Sequence, residues 1–137
     1  MRTVLSLAIV VWGVSVSAQT TDLVELIGKT RSDITSVFPG SGTTLRQWNG
    51  WKEAILFFNT RRELVTVSLL PATPMTEQQA DDAIRRLGVN VAGGNYFAAA
   101  TERGYSEIAG PIRTVSYRVD GERVIAIGIF SRLADID

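Results

Sequence analysis

The chain contains no cysteine and no histidine. Without cysteine there is no disulfide, no thiolate nucleophile and no lipid carried on an N-terminal cysteine. Without histidine the Ser-His-Asp and Cys-His catalytic systems are impossible, as are His/Cys zinc sites and helical HExxH metal sites. Lysine is scarce too: of 14 basic residues only Lys29 and Lys52 are lysine. Leu26 and Asn49 stand three residues before them, so no Ser-x-x-Lys pair exists. Basic and acidic residues balance at 14 each, which leaves no global field to draw the chain to nucleic acid or anionic lipid. No Asn-x-Ser/Thr acceptor occurs at Asn49, Asn59, Asn90 or Asn95. A long apolar run is missing as well. Val4 to Val11 is almost wholly apolar, but Trp12-Gly13 ends it well short of the about 20 residues a bilayer core requires.

What is present at the start reads as an export signal. Met1-Arg2-Thr3 supplies one positive side chain, the apolar run follows, and Val16-Ser17-Ala18 offers small or modest residues where a signal peptidase cuts. A signal peptide is expected over residues 1–18, with the mature protein beginning at Gln19 and carrying no stable membrane anchor. Removing 18 residues from 137 leaves 119, enough for one domain with a core but not for two. Loss of Arg2 leaves 13 basic against 14 acidic side chains, a formal charge of −1. The expected location is secreted or periplasmic, by bacterial export.

Along the mature chain, Leu23, Leu26 and Ile27 share the face of a short helix that Gly28 ends. Thr30 opens a second helix with Ile34, Val37 and Phe38 as its buried stripe, stopped by Pro39-Gly40. Three strands follow. Residues 43–48 and 51–58 flank Asn49-Gly50, a strong hairpin signal, and 63–70 returns after a turn at 59–62. That register sets Trp48 opposite Trp51, Arg46 opposite Glu53, Leu45 opposite Ala54 and Leu56 opposite Val65. A core face results, holding Leu45, Ala54, Leu56, Phe58, Val65, Val67 and Leu69.

Thr76 and Gln79 form a capping box for a helix over 76–87, with Ala80, Ala83, Ile84 and Leu87 on its apolar face and Met75 as a staple. Strands are predicted at 96–101, near 105–108, and at 113–119 and 122–130 across Asp120-Gly121. Residues 131–137 read as a flexible tail. The expected fold is a single α+β domain over 19–130, an antiparallel sheet with helices on one face. It divides into two αβββ-type halves, 21–70 and 76–130.

Chemistry-bearing motifs are few. Gly28-Lys29-Thr30 lacks the earlier glycine of a phosphate-binding loop, since Leu23 stands there, and reads as a joint between two helices. Asp81 and Asp82 point about 100° apart on a helix and fall on its solvated arc. No catalytic, metal or cofactor residue is assigned. The candidate site is the sheet face opposite the core, where Arg46, Trp48, Trp51, Ile55 and Phe57 gather. The competing reading is that Trp48 and Trp51 are a cross-strand pair covered by another part of the chain.

Gly28-Lys29-Thr30 with Asp33-Ile34 and Phe38-Pro39 resembles the pattern of bacterial outer-membrane assembly lipoproteins of the SmpA/OmlA type. Residues 22–70 are also similar to the helix-loop-helix plus antiparallel-sheet unit of β-lactamase-inhibitory proteins. This chain lacks the lipid-bearing cysteine of the former and the disulfides of the latter. The resemblance implies the architecture and a non-enzymatic binding role. The expectation is therefore an exported, non-catalytic module for an unidentified protein partner. The alternative is a small hydrolase or ligand-binding domain using carboxylates or arginine in a pocket.

Overall fold

The computed structural model describes residues 21–135, so the signal peptide expected over 1–18 lies outside the described residues. Asp22 caps α1 (Leu23–Leu26), its carboxylate accepting from the Val24 N–H at 3.0 Å. The second expected helix shrinks to one 3-10 turn, Arg31–Ile34. Its would-be cap, Thr30, gives its hydroxyl to the Asp33 carboxylate at 2.9 Å and makes no capping bond to the backbone. Ile34 and Phe38 are buried nonetheless.

β1 (Thr44–Trp48), β2 (Trp51–Phe58) and β3 (Leu64–Pro71) form one antiparallel meander. α2 (Glu77–Arg85) starts at the capping box the sequence indicates: Thr76 Oγ1 accepts from the Gln79 N–H at 3.1 Å, and Gln79 Oε1 accepts from the Thr76 N–H at 2.8 Å. β4 (Asn95–Ala98), β5 (Glu102–Ser106), β6 (Ile112–Asp120) and β7 (Arg123–Ser131) make a second meander. The last strands of the two meanders pair, giving one sheet in the order β1-β2-β3-β7-β6-β5-β4. The molecule is therefore more strand-rich than the expected α+β layering. A seven-stranded antiparallel sheet dominates, and the helices span only four and nine residues.

The first hairpin follows the predicted register, with Trp48 opposite Trp51 and Arg46 opposite Glu53. The second does not. Asn59 organises the turn, its side-chain oxygen accepting from the N–H groups of Arg61 and Glu63, and Leu56 meets Val67 rather than Val65. The slip is by two residues, so side chains keep their faces. A bulge between Phe57 and Phe58 puts Leu64 into the core, while Val65 is buried outside the central cluster.

That cluster joins Leu23, Ile34, Phe38, Ala80, Ile84 and Leu87 from the helical segments to one face of the sheet. The sheet supplies Ala54, Leu56, Val67, Leu69, Val115, Tyr117, Ile127 and Ile129. Residues 131–135, expected to fray, are held. Ser131 ends β7, Arg132–Asp135 form a 3-10 turn, and the Arg132 guanidinium donates to the carbonyls of Gly110 and Ile108. Arg31 staples the loop before β1 in the same way, through the carbonyls of Phe38, Pro39 and Gly42.

Candidate functional site

The five residues expected on the open face do not stay together. Arg46, Ile55 and Phe57 remain there: the Arg46 side chain is 83% exposed and Phe57 is 47% exposed. Trp48 and Trp51 are each only 7% exposed and belong to the core cluster. Two local irregularities turn them. Gln47 has φ +53°, which breaks the alternation of β1 before Trp48. A register shift between Trp51 and Glu53 does the same in β2. Trp48 then stacks on Phe38 at 4.7 Å and donates its indole N–H to the Val37 carbonyl at 2.7 Å. The indoles are covered from within.

What the open face carries instead is a row of small residues. Reading across neighbouring strands, Thr44 lies beside Ile55, then Ser68, Gly128, Ser116, Gly104 and Phe97. The next row is larger: Phe57, Thr66, Phe130 and Thr114. A trough therefore runs across the strands. A depression of about 550 Å³ occupies its middle, lined among others by Ser68, Ser116, Gly128, Phe130, Leu70 and Arg118.

Gly104 is required by packing, and Gly128 lies under a ring. A Cβ on Gly104 would overlap the Val115 carbonyl oxygen, and the Phe97 ring lies over that glycine. A Cβ on Gly128 would come 2.7 Å from the Phe130 ring. Both rings thus fold over glycine backbone, a known way to protect a sheet where it has no side chain. Charges sit at the rim. Arg46 lies 4.0 Å from Glu53, Glu102 stands opposite Arg118, and the Ser116 hydroxyl donates to the Glu102 carboxylate. Hydroxyls, aromatic edges and mixed charges in a shallow trough suit contact with an extended ligand.

Asp81 is not on a solvated arc, as the sequence suggested. It accepts the Tyr117 hydroxyl at 2.5 Å and the Tyr105 hydroxyl at 2.9 Å. One turn earlier on α2, Glu77 accepts the Tyr96 hydroxyl at 2.7 Å and pairs with Arg103 at 3.0 Å. Asp82 keeps to the surface, paired with Arg85 at 2.8 Å. Burial first, then the Asp81 carboxylate, pushes the Tyr105 phenol up to about 12, and the same causes raise Tyr117 further. The hydrogen bond to Glu77 raises Tyr96. Phenols held protonated beside carboxylates are donors, the reverse of what a general base or phenolate nucleophile needs. The cluster fastens α2 to β4, β5 and β6.

A second depression, of about 490 Å³, lies against α2 and is lined by Met75, Gln79, Asp82, Ala83, Arg86 and Arg123 among others. Among the described residues no group of three or more Asp or Glu is placed to hold a metal ion. No helix among them is long and apolar enough to cross a membrane. The small-residue row escaped sequence reading because its members lie on different strands. Its local traces are Ser68 beside Val67, Leu69 and Leu70, and Gly128 within the apolar run from Val124 to Phe130. No family model, curated protein or solved structure matches this chain.

Proposed function

We propose that this chain is an exported, non-catalytic binding protein that offers the open face of its sheet to a protein partner. We read its architecture as two layers, with the helices on the covered face and two helix-then-meander halves, of three and four strands, meeting at β3 and β7. The observation that carries the proposal is the trough on the face opposite the core: a floor of Ser68, Gly128, Ser116 and Gly104 beside Phe57 and Phe130. A floor of small side chains lets a partner's backbone or side chains approach closely, and exposed aromatic and arginine groups at the border are common anchors.

The test is site-specific photocrosslinking in the cell envelope. A photoreactive residue at Phe57 or Ser116 should yield a discrete adduct, and the same residue at Gln78 on the exposed side of α2 should not. Equal yields from both sides would refute a face-specific partner. A second reading, a small-ligand site, is favoured by the depression between α2 and Arg123, where Arg86 and Arg123 could meet an anionic ligand beside Met75 and Ala83. Under that reading Arg123→Ala would abolish ligand binding and leave the Phe57 adduct unchanged.

A further inference from the structure

Among the described residues the sheet has two free edges, and they are built differently. β1 carries Arg46, whose side chain is 83% exposed, and its backbone is twisted by Gln47 at φ +53°. A charge and a local twist are the usual devices that keep an edge strand from pairing with another chain. β4 has neither. Asn95-Tyr96-Phe97-Ala98 contains no charged residue, no proline and no positive φ, and exposed Ala99 and Ala100 follow it. Tyr96 is 54% exposed. The Ala99 N–H donates inward to the Glu102 carbonyl at 2.7 Å, so by strand alternation the N–H groups of Tyr96 and Ala98 point outward.

We propose that β4 pairs with β4 of a second copy of this chain, antiparallel about a two-fold axis. The occupant follows from charge and symmetry. A two-fold pairing brings each residue of β4 against β4 itself. With no charge on the strand it sets no like charges face to face, whereas a β1 pairing would bring Arg46 near its own copy. Such a pairing satisfies the outward N–H and C=O groups of both copies and brings Phe97 of each copy together on the open face. A two-fold axis normal to the sheet keeps both open faces on one side. Phe97, the last residue of the small-residue row, would then stand at the centre of a trough twice as long. The proposal does not depend on what the open face binds. An edge of four residues buries less than a standard interface, so the dimer is weak and concentration-dependent.

Sedimentation equilibrium of the purified protein from micromolar to millimolar concentration tests it, together with amide hydrogen exchange. The mass should rise from one chain to two, and the Tyr96 and Ala98 amides should become protected as it does. Ala98→Pro removes an outward donor without touching the pairing with β5, and should stay monomeric with an unchanged circular dichroism spectrum. Should that variant not fold, Ala98→Lys, which sets like charges across the axis, should show the same loss of the dimer. A wild-type protein that remains monomeric throughout overturns the proposal, including one that instead takes up strands of other proteins. So does association that persists in a folded Ala98→Pro protein, or that protects β1 amides and leaves Tyr96 and Ala98 exchanging freely.

Discussion

In the first half of the chain, the segments beside the sheet are held by rings. Trp48 stacks on Phe38, Trp51 is buried with it, and one indole hydrogen bond to Val37 fixes the arrangement. In the second half, α2 is held by phenol hydroxyls that end on Asp81 and Glu77. Apolar stacking depends on area removed from water and is indifferent to pH, whereas a hydroxyl–carboxylate clamp requires the phenol to stay protonated. The separation is clean enough to measure. All three tyrosines of the chain belong to the second cluster, and the two tryptophans beyond Trp12 belong to the first.

The largest expected effect is in the first half. Trp48→Ala should lower unfolding stability by about 3–5 kcal/mol, the usual cost of deleting a core aromatic, as read by denaturant titration. A loss below about 1 kcal/mol would mean that the indole is not core. In the second half, Tyr117→Phe should cost about 1.5–3 kcal/mol, because it removes a hydrogen bond to a charged acceptor from a buried ring. Asp82→Ala on the same helix should stay within about 0.5 kcal/mol. Similar losses from the two would show that α2 is not clamped through Asp81.

Alkali should separate the halves. The tyrosine pKa values are raised on folding, so their stabilisation is fully present below the ordinary phenol value of 10.0 and is lost as pH climbs above it, with Tyr105 ionising at about 12. Ultraviolet absorbance of phenolate should therefore appear late and together with unfolding. Tyr117→Phe should make the melting temperature less sensitive to pH in that window. Normal tyrosine titration in a folded protein would break the comparison. The smallest expected effect on stability is on the open face, where Phe57→Ala should change it by no more than about 1 kcal/mol while abolishing the adduct formed from a photoreactive residue at Ser116.

How far the sequence was legible follows the range of the contacts. Asn49-Gly50 set the β1–β2 register, and Thr76 with Gln79 set the start of α2, because each acts within a few residues. The face of Trp48 was not legible. It depends on a positive φ at Gln47, a residue type with no special liking for that conformation, and the cost is met by the stack on Phe38. The helix from Thr30 was over-read because its apolar stripe needs only burial, which a single 3-10 turn also delivers. Asp81 was misplaced for a different reason: its partners lie 24 and 36 residues away, so helical periodicity could not show them.

The central claim is that the helical segments cover one face of the sheet and take both indoles with them. Iodide quenching of tryptophan fluorescence tests this most directly, in protein lacking residues 1–18 so that Trp12 makes no contribution. The account predicts that Trp48 and Trp51 are shielded from iodide in dilute, monomeric protein and become accessible only on unfolding. Ready quenching of the folded monomer would place the indoles outside the core and contradict it.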